Sequence, residues 1–390
     1  MKTTFLKSLV LALVISNISC GEKKENTEAQ AESSNIEKDT METIFVGTYT
    51  KKEGHVDGQA DGIYTLYRNP EDGRLTEGKT VAEVVNPSFV KASEDGKFLF
   101  AVSELGEKDA ESGFIYSFRI TEKDSLEQLS KLSTESFAPA HIALDQSGKY
   151  VLVSNYMGGV VMMYKVSNDG TLTKQQPIDL ENPEKSHAHS VTISADNERA
   201  YVADLGNDKI WIFDLDADEG KLTPASQTSV TLEEGAGPRH FTISEDGNIA
   251  YSINELNSSI NVFKVAADGG LETIQTISSL PEGFSEKNSS ADIHLHPSGK
   301  FLYVSNRGHN SIASFTIDET SGELTALEYT STRGKTPRNF AVSPDGDHLY
   351  AANQDSNSVS IFKIEEESGK LEAVGEPFEA MTPVSLEFIP

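Results

Sequence analysis

Four widely separated residues, His189, Arg239, Glu255 and Arg307, have side chains that can transfer protons or bind anions. Imidazole and carboxylate groups are common general bases, and guanidinium groups bind carboxylate or phosphate through paired hydrogen bonds. Two arginines near the ends of central strands favour anion binding over packing alone. Together the four residues predict an acid–base site with an arginine clamp, in which His189 or Glu255 is catalytic.

Two further residues extend this set. Arg338 is predicted to be a third and weaker cation of the clamp, and His240 either binds substrate or is a core histidine with internal partners. His187 and His189 form a His-x-His pair whose imidazoles would point to one face of a strand. No third ligand at metal spacing lies nearby, so the sequence predicts neither a metal site nor a cofactor.

The elements that would position these residues repeat along the chain with a period of about 50 residues. Each copy has an alternating strand, a tight turn, a second apolar strand and a polar residue where that strand ends. The copies begin at Pro87, Pro139, His187, Pro238, Ser290 and Pro337. Four short antiparallel strands per repeat are typical of a propeller blade. His309 and His348 lie in turns of this pattern and are predicted to be surface residues.

The two ends of the repeat array predict how the ring closes. Residues 44–49 match a second strand without a first, and residues 383–388 match a first strand with nothing after it. Joined, they complete a seventh blade and remove exposed sheet edges. The sequence therefore predicts an all-β fold, a seven-bladed β-propeller with four-stranded blades over residues 44–390. Its last blade would be closed by the N- and C-terminal strands.

Alignment of the repeats gives three columns of side chains near the predicted centre. The column at the end of the second strand is polar in every blade and is interpreted as architectural, because short polar side chains satisfy backbone groups at turns. The other two mix charged and aromatic residues, which favours ligand binding or catalysis. The column after the second strand contains Tyr49, Glu104, Tyr156, Leu205, Glu255, Arg307 and Gln354. The column in the first strand contains Phe89, His141, His189, His240, Asp292, Asn339 and Ser385.

The first 43 residues are predicted to lie outside the fold. Residues 1–19 are interpreted as a lipoprotein-type signal peptide, because a lysine-containing start precedes an apolar run too short to stay across a bilayer. Cys20, the single cysteine, follows small residues and is the predicted lipidation site; an ordinary secretory peptide is the alternative. Residues 20–43 are polar and predict a disordered tether. The protein is therefore predicted to be exported to the cell envelope, with membrane contact only through a lipid anchor on Cys20.

The charge balance excludes some partners. The chain has 33 lysines and arginines against 61 aspartates and glutamates, for a formal net charge of −28. Such a surface repels nucleic acid and anionic lipid, so no nucleic-acid partner is predicted. An anionic substrate would need a local cationic pocket.

Several segments resemble the propeller lactonases, a family that includes the bacterial propeller-type 6-phosphogluconolactonase and the fungal carboxymuconate-lactonising enzymes. The segments are Gly237-Pro238-Arg239-His240, Asn254-Glu255-Leu256, Ser305-Asn306-Arg307-Gly308-His309 and His187-Ala188-His189-Ser190. The resemblance implies a seven-bladed propeller that acts on a small anionic lactone without a required metal. It also implies that His189, Arg239, Glu255 and Arg307 form the site.

The predicted function is hydrolysis of a small anionic sugar lactone by general-base activation of water. Arg239, Arg307, Arg338 and His240 are the predicted substrate-binding residues. An exported enzyme could also act on an unphosphorylated lactone, since phosphorylated sugars are largely cytoplasmic. Two alternatives remain: a cycloisomerase acting on a carboxylated muconate with the same residues, and a non-catalytic ligand-binding propeller at the cell envelope.

Overall fold

Short β-strands account for nearly all regular structure in residues 41–122 and 124–390, the part of the chain described by a computed structural model. The predicted signal peptide, most of the predicted tether and Cys20 lie outside the described residues. Within the described residues, no helix is long and apolar enough to cross a lipid bilayer.

The strands form seven sheets, which we call blades. The closing blade contains β1 (Glu42–Thr48), β2 (Ile63–Arg68), β3 (Leu75–Ala82) and, as its innermost strand, β29 (Pro383–Phe388). Blade 1 contains β4 (Val90–Ala92), β5 (Phe98–Ser103), β6 (Phe114–Thr121) and β7 (Ser125–Ser133). Blade 2 contains β8 (Phe137–Leu144), β9 (Tyr150–Met157), β10 (Val160–Val166) and β11 (Leu172–Asp179). Blade 3 contains β12 (Ala188–Ile193), β13 (Arg199–Asp204), β14 (Lys209–Asp216) and β15 (Lys221–Thr231).

The remaining three blades have the same antiparallel order. Blade 4 contains β16 (Pro238–Ile243), β17 (Ile249–Asn254), β18 (Ser259–Val265) and β19 (Leu271–Ser278). Blade 5 contains β20 (Ser289–Leu295), β21 (Phe301–Arg307), β22 (Ser311–Ile317) and β23 (Leu324–Ser331). Blade 6 contains β24 (Pro337–Val342), β25 (His348–Asn353), β26 (Ser358–Ile364) and β27 (Leu371–Ala373), and the short β28 (Phe378–Glu379) also pairs with β26. A 3-10 turn at Gln354–Ser356 joins β25 to β26.

The hydrophobic core lies between neighbouring blades. In β13, Ala200 and Val202 pack in a cluster with residues of blade 2, whereas Tyr201 and Ala203 pack in a cluster with residues of blade 4. Because both faces of the second strands are buried, these strands are continuously apolar in sequence. The seven innermost strands contact one another in a ring. They therefore surround the central axis, as the repeat predicts.

The ring closes between the two ends of the propeller sequence, which confirms the predicted closure. Strand β29 pairs antiparallel with β1, with Ile44 opposite Phe388 and Gly47 opposite Ser385. Strand β1 begins at Glu42, before the predicted boundary at residue 44. Glu42 and Thr43 thus belong to the closing blade and not to the tether.

An irregularity in the innermost strands corrects one predicted alignment. In blade 3 the paired residues are Ala188 with Asp204 and Ser190 with Ala203; in blade 4 they are Pro238 with Asn254 and His240 with Ile253. His189 therefore corresponds to Arg239, and the blade 3 repeat begins at Ala188. The prediction that it begins at His187, with His189 in the column of His240, is wrong by one residue. A bulge of this kind re-aims the side chains of consecutive residues.

A cluster around the buried Arg68, which we call the clasp, joins the closing blade to blade 6. Arg68 is fully buried, and its guanidinium lies 2.6 Å from Glu42 Oε2 and 2.7 Å from Asp345 Oδ2. Its Nε donates to the Tyr350 hydroxyl at 2.9 Å, and its Nη2 lies 3.1 Å from His348 Nδ1. His348 is buried, so its predicted surface position is wrong, because Arg68 from a distant strand covers it. His309, by contrast, is partly exposed.

Candidate functional site

A cavity of about 430 Å³ lies where the second strands of the blades end. Its lining comprises Tyr49, Glu53, His55, Glu104, Gly106, Asp109, Ala138, Ala140, Tyr156, Met157, His189, Glu255, Arg307 and Arg338. Every blade contributes at least one of these residues, so the cavity lies on the central axis. A larger cleft of about 560 Å³ is formed only by the closing blade and blade 6, away from that axis.

Four of the six predicted site residues line this cavity, and two do not. His189, Glu255, Arg307 and Arg338 are in the lining. Arg239 and His240 lie behind it and are 2% and 8% exposed. The predicted site residues are thus neighbours, but they form an inner and an outer layer.

Glu255 connects the two layers. Its Oε2 lies 2.8 Å from Arg307 Nη2 and 3.1 Å from Arg239 Nε. The Arg239 Nε–H is not directed at this oxygen and has no hydrogen-bond partner among the described residues, so the contact is an ion pair without a hydrogen bond. Arg307 also donates from Nη2 to the Ser290 carbonyl at 3.2 Å. One carboxylate is therefore shared by the buried guanidinium of Arg239 and the partly buried guanidinium of Arg307.

The loop before β16 explains how Arg239 and Glu255 come together. Gly237 has a φ of +64°, and a Cβ there would lie 2.5 Å from the Leu256 side chain, so a glycine is required. The Asp208 carboxylate accepts the Gly237 N–H at 2.8 Å. The Gly237 carbonyl accepts the Glu255 N–H at 2.7 Å. The backbone thus places Glu255 beside the strand that carries Arg239.

Arg338 differs from the other two arginines because no carboxylate neutralises it by direct contact. Within the described residues it has no ion pair within 4.0 Å, and its guanidinium lies 5.5 Å from the centre of the Tyr49 ring. Burial opposes its charge, yet the pKa of Arg338 is raised because Tyr49 and the carboxylates of Glu104 and Glu255 are near. The Tyr49 hydroxyl donates to Glu104 at 2.8 Å. A cation without a carboxylate partner therefore faces the cavity.

His189 is the second lining residue with an unused polar group. It is buried, and its Nδ1 has no hydrogen-bond partner among the described residues. Its ring contacts Tyr156 edge-on at 5.7 Å, whereas His187 stacks on Tyr156 at 4.3 Å. Burial and the neighbouring Arg239 hold the pKa of His189 well below its usual value. The imidazole is therefore neutral at pH 7 and can accept a proton.

The electrostatics of the ion cluster are dominated by its arginines. Burial alone would raise the pKa of Glu255, but Arg307, Arg239 and Arg338 hold it below its usual value. Burial and the like charges of Arg307 and Arg338 lower the pKa of Arg239 to about 9, which leaves it charged at pH 7. Glu255 is therefore a carboxylate and a weak base.

Aromatic and imidazole rings form the floor beneath the cavity. The His240 ring lies 5.3 Å from that of His189 and 5.4 Å from that of His141, and Phe89 packs on His141 at 4.4 Å. His240 Nδ1 lies 2.6 Å from Asp292 Oδ1. Burial, followed by the charge of Arg239, lowers the pKa of His240 to about 4. His240 is thus a neutral residue of the floor.

The polar column at the end of the second strands has the architectural role that was predicted. Asp204 accepts hydrogen bonds from the Ser186 hydroxyl, the His187 N–H and the Trp211 indole at 2.8, 2.8 and 3.0 Å. Asn254 donates to Ser259 and Asn261 within its own blade. These side chains satisfy turns and neighbouring strands and are absent from the cavity lining.

Several lining residues were not assigned a role from the sequence. Tyr49, Glu104 and Tyr156 belong to a predicted central column, which was the signal that could have found them. Glu53, His55 and Asp109 lie in loops outside the repeated strands, where column alignment has no information. Among the described residues, no three His, Cys, Asp or Glu side chains are grouped so that they could hold a metal ion.

Comparisons with known proteins agree with this architecture. Residues 43–388 match the family described as "Lactonase, 7-bladed beta-propeller". The chain is 31% identical over 307 residues to the 6-phosphogluconolactonase of Bacillus subtilis, covering 76% of this chain and 83% of that protein. It is 33% identical over 314 residues to the 6-phosphogluconolactonase of Formosa agariphila, covering 77% and 86%. The solved structure of the periplasmic gluconolactonase of Pseudomonas aeruginosa is similar with a TM-score of 0.84 and 32% identity, over 90% of this chain and 99% of that one.

Proposed function

Because the chain belongs to the family of seven-bladed β-propeller lactonases, we propose that it is an enzyme that hydrolyses a small sugar lactone. One observation carries the proposal. The axial cavity is lined by the neutral imidazole of His189 and by a guanidinium without a carboxylate partner among the described residues, that of Arg338. A proton acceptor and a cation facing one cavity are what ester hydrolysis by water requires.

His189 is the proposed general base, in preference to Glu255. The Glu255 carboxylate is engaged with Arg307 and Arg239, and the same charges depress its pKa. His189 is neutral, and its imidazole makes no hydrogen bond to another described residue. Because Nδ1 is buried, Nε2 is the nitrogen that accepts the proton in this proposal. Glu255 instead holds Arg239 and Arg307 in place, so that the Arg307 guanidinium faces the cavity. The low pKa of His189 makes it a modest base, which suits a reactive ester.

The proposed reaction proceeds in two steps. The His189 imidazole accepts a proton from water while the water oxygen bonds to the lactone carbonyl carbon, and the carbonyl π electrons move to the carbonyl oxygen. Arg338 and Arg307 stabilise this oxyanion. The intermediate then collapses, the bond between the carbonyl carbon and the ring oxygen breaks, and the imidazolium returns the proton to the departing oxygen. The product is a hydroxy acid, which ionises at neutral pH.

The charges of the lining favour an uncharged sugar lactone over a phosphorylated one. Arg307 and Arg338 face the carboxylates of Glu53, Glu104 and Asp109 in the same cavity. Carboxylates accept hydrogen bonds from sugar hydroxyl groups but repel a phosphate. This proposal departs from the anionic substrate predicted from the sequence. The relatives with printed activities include both 6-phosphogluconolactonases and a gluconolactonase.

The proposal is tested by measuring hydrolysis with the purified protein. Acid release from glucono-δ-lactone and from its 6-phosphate is followed at constant pH, with the spontaneous rate subtracted. We expect catalysis of the plain lactone and a lower kcat/KM for the phosphorylated one. The reverse preference would reject the charge argument, and no rate above background with either substrate would reject lactone hydrolysis.

We also propose that the protein acts outside the cytoplasm, through the predicted signal peptide and Cys20. One relative is named as periplasmic, which supports this location. Fractionation of cells that express the full chain or its Cys20→Ala variant tests the anchor. Membrane recovery of the full chain and soluble recovery of the variant are expected; equal distribution of both would reject lipidation.

A further inference from the structure

Arg239 is held from behind by a chain of contacts that leads away from the cavity. Its Nη1 lies 3.3 Å from His240 Nε2 and donates to the Ala291 carbonyl at 2.7 Å. On the far side of the imidazole, His240 Nδ1 lies 2.6 Å from Asp292 Oδ1. Asp292 is 2% exposed and does not line the cavity.

The chemistry of these partners fixes where the proton of His240 resides. A carboxylate only accepts hydrogen bonds, so the proton lies on Nδ1, which donates to Asp292. A guanidinium only donates, so Nε2 must be the acceptor for Arg239 Nη1. Asp292 therefore selects the one tautomer of neutral His240 that can receive Arg239.

Asp292 is itself held rigidly. Its Oδ2 accepts from Asn339 Nδ2 at 2.5 Å, from the Phe340 N–H at 3.3 Å and from His294 Nε2 at 3.0 Å. Its Oδ1 accepts the Ile293 N–H at 3.0 Å in addition to His240. Five donors from three blades thus surround one buried carboxylate. Because both oxygens have several donors, the orientation of the Asp292 carboxylate is fixed.

We propose that Asp292 is a positioning residue of the lactonase site, which acts through His240 to hold Arg239 and thereby the Glu255 carboxylate that Arg239 shares with Arg307. This inference rests on the proposed function but adds residues that contact no substrate. It also changes the predicted role of His240 from substrate binding to support. This series of contacts ends at Arg307, which does line the cavity. A change at Asp292 is therefore transmitted to the reacting groups through Glu255.

The Asp292→Asn variant tests the tautomer directly. Three donors converge on Oδ2, so the amide oxygen is expected to occupy that position and the amide nitrogen to face His240. His240 must then accept at Nδ1 and carry its proton on Nε2, where it opposes Arg239. Long-range ¹H–¹⁵N spectra of histidine-labelled protein, with the His240 signal assigned by its loss in His240→Gln, report this change. An unchanged Nδ1–H tautomer in Asp292→Asn would overturn the proposal, whether or not the protein hydrolyses lactones.

A double-mutant cycle tests the functional consequence. Asp292→Asn is expected to lower kcat/KM by about tenfold in the wild-type background and by less than about twofold in an Arg239→Gln background, because contacting residues in one network are not additive. A purely structural role would give the same factor in both backgrounds and would overturn the inference. His296→Gln is the matched control, since this partly exposed histidine of the same blade contacts Ser298 and the Gly346 carbonyl and not Asp292. It is expected to alter thermal stability with less than about a twofold change in kcat/KM.

A second pair of variants keeps the test decisive if Asp292→Asn does not fold. His240→Gln retains an acceptor for Arg239 and a donor for Asp292, whereas His240→Leu retains neither. The Gln variant should keep most of the activity, and the Leu variant should lose about as much as Arg239→Gln. Equal activities of the two His240 variants would contradict the proposal. Absence of activity in the wild-type protein would instead reject the proposed function and leave the tautomer measurement to decide this inference.

Discussion

The clasp and the cavity both contain buried arginines, but their charges are balanced differently. In the clasp, one guanidinium is paired with two carboxylates, and Nε, Nη1 and Nη2 of Arg68 all have close partners. At the cavity, the guanidiniums of Arg239, Arg307 and Arg338 have one carboxylate in direct contact among the described residues, that of Glu255, which pairs with Arg239 and Arg307. A saturated cluster leaves nothing for a ligand to bind. The incomplete direct pairing of the arginines at the axis therefore distinguishes the candidate functional site from a structural cluster.

The largest expected effect separates the two clusters by stability. Arg68→Met leaves the partly exposed carboxylates of Glu42 and Asp345 and the buried His348 without their shared partner, and should cost about 1 to 3 kcal/mol in unfolding free energy. Arg338→Met removes a cation that has no carboxylate partner, so stability should change by less than about 1 kcal/mol. Urea denaturation of both variants measures this contrast. Equal losses would show that the two arginine clusters are energetically alike.

The next effect is a loss of activity on removal of the His189 imidazole, which lines the cavity. His189→Ala should lower kcat for lactone hydrolysis by about 100- to 1000-fold, because it removes the proposed proton acceptor. The unfolding midpoint should stay close to that of the wild type, since no hydrogen bond to Nδ1 is lost. His309→Ala is the control, because this partly exposed histidine lies outside the cavity lining. Wild-type kcat in His189→Ala would refute its assignment as the base.

A smaller effect tests the cation that has no carboxylate partner. Arg338→Ala should reduce kcat/KM by about 10- to 100-fold, as expected for loss of a charged hydrogen bond to the reacting group. Arg333→Ala, an exposed neighbour whose side chain contacts the Gly375 carbonyl, should have wild-type kinetics. If Arg307→Ala impairs kcat/KM while Arg338→Ala does not, the paired arginine and not the unpaired one carries the interaction.

The last comparison concerns the pH at which one group in each region titrates: His240 at the site and Asp345 in the clasp. Because the folded pKa of His240 is about 4 and the unfolded value is near 6.5, the folded state gains stability that is complete above pH 6.5 and is lost as pH falls towards 4. His240 alone contributes at most about 1.4 kcal/mol per pH unit to the slope of the unfolding free energy against pH. In denaturation curves collected between pH 4 and 6.5, His240→Gln should reduce the number of protons taken up on unfolding by up to about one, and the slope falls accordingly. An unchanged slope would mean that His240 is already protonated in the folded protein.

The Asp345 carboxylate of the clasp should respond to acid at lower pH than His240 of the site. Burial opposes it, but the Ser343 hydroxyl, the Asp347 N–H and Arg68 hold the pKa of Asp345 below 3.8. Its stabilising contribution is therefore present above the unfolded pKa near 4 and is lost as pH falls through the lower folded value. Asp345→Asn should accordingly change the slope only below about pH 4.

The fold was predictable from sequence because each blade repeats the same alternation, and the half-repeats at residues 44–49 and 383–388 fit together. The site was predictable only to within a residue. The predicted alignment of His189 with His240 is wrong because the blade 3 repeat begins at Ala188, where no proline marks the start of the strand. The bulge occurs in both blades, so it does not shift one repeat against the other. The burial of His348 depends on Arg68, which is distant in sequence and belongs to another blade. The layering of Arg239 behind Glu255 depends on a loop conformation that residue type does not specify.

The pairing of β29 with β1 has a consequence for biosynthesis. The strand that completes the closing blade follows all other strands of the propeller in sequence, so β1 has an unpaired edge until residues 383–388 have been synthesised. The ring therefore cannot close blade by blade as the chain emerges. A protein truncated before residue 383 should aggregate rather than fold into a smaller propeller. Assembly of the whole ring depends on residues 383–388.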